Sequence, residues 1–139
     1  MTLQAPASAV IGFGCVYLPV SDAYASAQWY CQNFGLEPSP NTPLRPDMPH
    51  AILLYKPNGP GVFLLGCESL PNKPLTTRHG EEMLTCCLLV RDIEASLSRL
   101  KENGVRLEAE RPLDRGSCGI NVKFYDPDGN KLELVQPAS

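Results

Sequence analysis

The sequence has no excess of charge of one sign, no long apolar run and few histidines, and each shortage removes a class of function. Twelve lysines and arginines stand against fifteen aspartates and glutamates, a net charge of -3. The basic residues are scattered, so nucleic acid or an anionic membrane has no electrostatic basis as a partner. No apolar stretch approaches the roughly 20 residues of a membrane-spanning helix. Met1 to Val10 lack the charged start and apolar run of a secretory leader, which makes a cytoplasmic location the default expectation. Only two histidines occur. His50 opens a strand beside an irregular loop and His79 lies in a polar linker, and both read as surface residues. No two of the six cysteines (Cys15, Cys31, Cys67, Cys86, Cys87 and Cys118) have Cys-x-x-Cys spacing. Neither a zinc knuckle nor a thioredoxin-type motif is therefore present. Without a leader, they read as reduced thiols packed as small hydrophobes.

What is present is a globular composition arranged as a repeat. Hydrophobic residues are 43% and charged residues 19% of 139, a balance that argues against disorder and for one core. Cys15 to Asp22 and Thr85 to Asp92 are apolar runs of strand length ending in x-Asp. Each precedes a stretch of helical period and then Gly35 or Gly104. Asp22 and Asp92 are placed to cap helix N-termini. Ala23, Ala27, Tyr30 and Phe34 in one copy, and Ile93, Leu97 and Leu100 in the other, recur on one helical face. Asn33-Phe34-Gly35 and Asn103-Gly104 supply left-handed helix ends. Leu36-Glu37 and Val105 to Leu107 start the next strands. His50 to Tyr55 and Val62 to Leu65 flank the turn Pro57 to Gly61. Ile120 to Tyr125 and Lys131 to Val135 flank the turn Asp126 to Asn130. Asn41 to Pro49 is an irregular loop. The plan is α+β: two tandem βαβββ modules in one domain over 1–139, about 11–67 and 83–136, with a linker at 68–82.

Two stretches carry a family resemblance. Cys15-Val16-Tyr17-Leu18-Pro19-Val20-Ser21-Asp22 is similar to the superfamily strand His-Val-x-Leu-x-Val-x-Asp. Phe124-Tyr125-Asp126-Pro127-Asp128-Gly129-Asn130-Lys131-Leu132-Glu133-Leu134 is similar to its last hairpin, Phe-x-Asp-Pro-Asp-Gly-Asn-x-x-Glu-Leu. The chain thus resembles the glyoxalase/bleomycin-resistance/extradiol-dioxygenase (vicinal oxygen chelate) superfamily from about Ile11 to Gln136. The resemblance implies two modules whose sheets curl into a cup with helices outside, a site on the concave face and a homodimer.

Strand alternation assigns the faces. Val16, Leu18, Val20, Cys86, Leu88 and Val90 point to the helices. Cys15, Tyr17, Thr85, Cys87 and Leu89 point to the cup, as do Asn121, Lys123, Tyr125, Lys131, Glu133 and Val135. Phe63 and Leu65 are assigned there too. Metal-dependent relatives place His, Glu or Gln on the first, fourth, fifth and eighth strands. Carried across, those positions are Cys15, Phe63 or Leu65, Thr85 and Glu133, and only Glu133 matches. Three or more good protein ligands are needed for a divalent site, so the expectation is no metal cofactor. A divalent metal, with a loop folding His50 or His79 over the cup, is the alternative. Trp29 is expected to pack in the first helix.

The expected function is a small-molecule-binding protein. Cys15, Tyr17, Phe63, Thr85, Cys87, Lys123 and Tyr125 would line the cup, with aromatic walls suited to planar ligands. Glu133 is the candidate catalytic residue: a carboxylate in a partly apolar cup can accept a proton from a ligand. Pairing with Lys123 or Lys131 is the competing role. The alternative function is a lyase, isomerase or dioxygenase using Glu133.

Overall fold

Each aspartate that ends the first strand of a half begins its helix. In the computed structural model, which describes residues 7–70 and 74–139, Asp22 accepts from the Ala25 amide at 3.1 Å and Asp92 from the Ala95 amide at 3.0 Å. Each thereby satisfies a donor that lacks a helical partner. The stretch searched for a leader, as far as residue 6, and residues 71–73 of the linker lie outside the described residues. Gly35 takes the left-handed conformation that stops the first helix, at φ 67°, and Gly104 does so after the second at φ 69°. Arg99 and Lys101 in the last turn of the second helix oppose its dipole.

The first half is β1 (Cys15–Val20), α1 (Ala23–Phe34), β2 (Glu37–Pro38), β3 (His50–Leu54) and β4 (Gly61–Gly66). The second half is β5 (Cys86–Leu89), α2 (Ile93–Glu102), β6 (Arg106–Leu107), β7 (Leu113–Asp114), β8 (Ile120–Tyr125) and β9 (Lys131–Gln136). The first sheet runs β1-β4-β3-β2 and the second β5-β9-β8-β6, with β7 also on β8. In both, the first strand lies parallel to the last, and the hairpin is antiparallel. Pro19 sits in β1, an edge strand, where a missing N–H costs no ladder bond. The expected α+β plan of two βαβββ modules is therefore present. The differences are local. β7 and a short 3-10 turn at Gly116–Cys118 add to the second half. The linker carries a small bridge, Thr76 to Glu82. Among the described residues, no helix is long and apolar enough to cross a membrane.

One core joins the halves. Leu18, Val20, Leu53 and Leu64 of the first sheet, Val122, Phe124, Leu132 and Leu134 of the second, and Tyr30, Leu97 and Leu100 of the helices form a single buried cluster. Each such side chain contributes about 1.5–3 kcal/mol on burial. Trp29 and Phe34 of α1 pack on Phe124 of β8 at ring distances of 6.3 and 5.1 Å, while α1 also lies on β3 and β4. The helices thus cover the inner side of both sheets, and the sheets turn their other sides outward.

The Asp126 to Asn130 hairpin clasps the halves together. Tyr30 donates its hydroxyl to Asp126 Oδ2 at 2.7 Å. Asn130 Nδ2 donates to the Pro19 carbonyl at 2.9 Å, and the Ser21 amide to Asp128 Oδ1 at 3.2 Å. A shift of 70 positions carries Asp22 onto Asp92 and the two helices onto each other. It also pairs Asn33 with Asn103, which are hydrogen-bonded to one another at 2.9 Å. A pseudo-twofold relation between the halves therefore passes through this pair.

Candidate functional site

The side of each sheet away from the helices carries the expected site residues. On the first sheet, Cys15, Tyr17 and Pro19 lie in register with Gly61, Phe63 and Leu65, and Ile52 lies opposite Phe63 on β3. Tyr17 and Phe63 meet edge to face at 5.4 Å. This face is apolar and aromatic, and Tyr17 is 62% exposed. Burial of Leu18, Val20 and Leu64 on the opposite side shows why: alternation leaves the rest outside.

On the second sheet the same positions are polar. Glu133 lies in register with Cys87 on one side and Lys123 on the other. Asn121 Nδ2 donates to Glu133 Oε2 at 3.4 Å. Burial pushes the Cys87 thiol up to about 11, and the neighbouring Glu133 carboxylate adds to the effect. The thiol is therefore protonated at neutral pH and is no nucleophile there.

The lysines do not pair with Glu133. Lys131 donates to Glu108 Oε1 at 2.6 Å and lies 3.9 Å from Glu82 Oε1. Lys123 lies 3.9 Å from Glu108 Oε2. The hydrogen bond from Lys131 holds the Glu108 carboxyl below its ordinary value, against an opposing effect of burial. Burial pulls the Lys131 ammonium down, and the same Glu108 contact more than offsets it. Glu82 and Glu108 escaped the sequence reading because each lies outside the regular strands; only the unmatched lysines on the cup face pointed to them.

One expected position is corrected. Tyr125 was assigned to an aromatic wall, but it is only 6% exposed. Arg106 covers its ring at 4.0 Å and its hydroxyl bonds to Glu82, so Tyr125 supports the polar cluster from beneath. His50 is exposed, in keeping with its reading as a surface residue, and it shares the cup side of the first sheet. It lies opposite Leu65, whereas Cys15 lies opposite Gly61. Four residues of strand, about 13 Å, separate them, too far for one ion. His79 sits in the turn closed by the Gly80 amide on the Thr77 carbonyl.

The residues carried over for a metal do not fit one. Phe63 has no donor atom. Thr85 donates its hydroxyl to the Lys131 carbonyl at 3.0 Å. Among the described residues no three His, Cys, Asp or Glu side chains cluster suitably. The structure brings Cys15, Tyr17 and Phe63 together on one face, and Thr85, Cys87, Lys123 and Glu133 on another. Within the chain, the shared core lies between these two faces.

Comparisons with known proteins agree with this architecture. The family model described as Glyoxalase/Bleomycin resistance protein/Dioxygenase superfamily matches residues 12–134. Among curated proteins no sequence match is found. A glyoxalase/dioxygenase from Nostoc punctiforme is similar with a TM-score of 0.73 and 19% identity, covering 99% of this chain and 100% of that one. TnmS3, an antibiotic binding protein from Streptomyces sp. CB03234, gives 0.65 and 23%, covering 95% and 100%. A variant of the fosfomycin resistance protein FosX from Listeria monocytogenes, complexed with Mn(II) and 1S,2S-dihydroxypropylphosphonic acid, gives 0.67 and 16%, covering 93% and 94%.

Proposed function

The chain belongs to the glyoxalase/bleomycin-resistance/dioxygenase superfamily, and from that premise we propose that it is a metal-free binder of small, planar organic molecules. One observation carries this reading: the two outward faces are complementary halves. One offers Tyr17 and Phe63 as an aromatic wall with Cys15 beside it. The other offers Glu133, Lys123, Cys87 and Thr85 as a polar wall. A ligand pocket needs both, an apolar lining and a few placed polar groups. Because the faces lie on opposite sides of one core, each completes a cup only against the other face of a second copy. The working form is then a homodimer with two shared cups.

The donor set supports a metal-free cup, since Phe63 and Thr85 stand where ligands would. The antibiotic-binding relative makes sequestration of a drug-like molecule a natural use of such a cup. A thermal-shift panel of planar aromatic compounds tests the proposal. At least one compound should raise the melting temperature, and Tyr17→Ser should abolish the rise. Metal at one equivalent per chain, in protein purified without chelator, would overturn the metal-free claim.

A second reading rests on Glu133. With both neighbouring lysines turned to Glu108, it carries no ion pair among the described residues. It is left to accept a proton or hydrogen bond from the ligand. If the cup is catalytic, Glu133→Gln loses turnover and keeps binding. Unchanged turnover would remove Glu133 from any mechanism.

A further inference from the structure

A cavity of about 720 Å³ opens between the helix sides of the two sheets and reaches round the edge strand β5 to Cys87 and Leu89, while Tyr17, Phe63, Lys123 and Glu133 lie outside it. Its volume falls within the range of small-molecule sites. Val16, Leu53 and Val62 of the first sheet form one wall. Cys86 and Leu88 of β5 and Ala95 of α2 form the other. Arg91 and Arg99 stand exposed at its rim.

The cavity exists because the repeat is broken there. In the opposite half, Trp29 of α1 reaches Phe124 of β8 and fills the space between helix and sheet. The shift of 70 carries Trp29 onto Arg99. Strand register does the rest: Ile52 lies opposite Phe63 as Lys123 lies opposite Glu133, so Leu53 corresponds to Phe124. The positions held by an indole and a phenyl ring on one side are thus held by Arg99 and Leu53 on the other, both at this cavity. Arg99 is exposed, as a long cationic side chain prefers. The cavity is open to water and largely apolar in its lining, so an apolar guest removes that surface from solvent.

The rim fixes the guest's charge. Among the described residues, no carboxylate lies within ion-pair distance of Arg91 or Arg99. Asp92, beside Arg91, also lines the cavity, but its carboxylate caps the helix at the Ala95 amide. Burial pushes the Cys86 thiol up, so that wall is uncharged. We propose that this cavity is a second ligand site, for a molecule with an apolar body seated on Val16, Val62 and Leu88 and one anionic head held by Arg91 and Arg99.

The probe is 1-anilinonaphthalene-8-sulfonate, which has this chemistry and fluoresces when removed from water. It should bind the intact protein saturably, at no less than one equivalent per chain. Arg99→Trp restores the packing of the opposite half and should raise the half-saturation concentration at least about tenfold. The double variant Arg91→Gln, Arg99→Gln keeps the cavity and loses the head contacts, and should weaken binding about tenfold. Decanoate should displace the probe about tenfold better than decanol. Tyr17→Ser removes any binding of the planar probe at the cup and should still leave one saturable equivalent per chain, which the arginine variants weaken. That control separates this site from the cup. The proposal is overturned if no saturable binding occurs, as when a second copy covers the mouth. Unaltered binding in both arginine variants, equal displacement by decanol, or loss of binding in Tyr17→Ser would overturn it as well.

Discussion

The two halves share a plan and differ on both of their surfaces. On the cup side, Tyr17, Phe63 and Ile52 of the first half correspond to Cys87, Glu133 and Lys123 of the second. On the helix side, Trp29 and Phe124 meet around α1, and Arg99 with Leu53 leaves a cavity around α2. The frame itself, made of caps, strand order and hairpins, is the same in each. Backbone architecture is fixed by short local signals, and these leave most outward positions free. A doubled module can therefore give one half an apolar wall and the other a polar one.

Substitutions at corresponding positions test that difference. Phe124→Ala should cost about 3–5 kcal/mol, because it removes the ring on which Trp29 and Phe34 pack. Its counterpart Leu53→Ala should cost nearer 2 kcal/mol, the low end for a buried leucine, because it removes a smaller side chain and no ring packing. Denaturant titration of both variants measures this, and equal costs would show that the halves are packed alike.

The next effect concerns reactivity. With its thiol pushed up to about 11, Cys87 should hold on the order of a hundredfold less thiolate than an ordinary cysteine near pH 8. Peptide mass spectrometry after iodoacetamide should find it labelled far more slowly than Cys118. Glu133→Gln should narrow the gap, since the carboxylate is the second cause of the shift.

The clasp gives a smaller effect. Asp126→Ala leaves the buried Tyr30 hydroxyl without its acceptor and should cost about 2 kcal/mol. The first half has no buried carboxylate in its hairpin turn, so Asn58→Ala, at φ 59° in an exposed turn, should cost about 1 kcal/mol.

The smallest effect is in pH dependence. Glu108 has its carboxyl lowered by Lys131, so its contribution is present above the ordinary carboxylate value. It is lost as pH falls through the lowered one. Asp126 is raised, chiefly by burial, and has the opposite sign: its contribution is present at low pH and fades as pH rises. Glu108→Gln should therefore flatten the loss of stability between about pH 5 and pH 3. A loss as steep as in the parent would mean that the exposed pair contributes nothing measurable.

Much of the frame was legible in the sequence, because the signals are local. Asp22 and Asp92 sit one residue ahead of their helices. The alternation Val16, Leu18, Val20 assigns its faces without knowledge of any partner. The cup-side positions Cys15, Tyr17, Cys87 and Glu133 follow from that alternation alone. What escaped depends on how the halves meet. Asp126 reads as a turn residue and is also the acceptor for Tyr30, 96 positions away. Tyr125 reads as a wall, and its burial depends on Arg106 and Glu82, which no periodicity connects to it. The helix-side cavity was invisible for the same reason. It needed the pairing of Trp29 with Phe124 before its counterpart could be recognised.

The central claim, that an apolar half-face of one copy closes on the polar half-face of another, is tested by mixing two defective variants. One carries Tyr17→Ser and Phe63→Ser, the other Lys123→Ala and Glu133→Ala, and each alone should bind none of a ligand found by thermal shift. In mixed dimers one cup takes its aromatic wall from the second variant and its polar wall from the first. After co-refolding, calorimetry should recover about a quarter of the parental binding sites at parental affinity, as random twofold assembly requires. No recovery at any mixing ratio, with mixed dimers demonstrably formed, would contradict the shared cup.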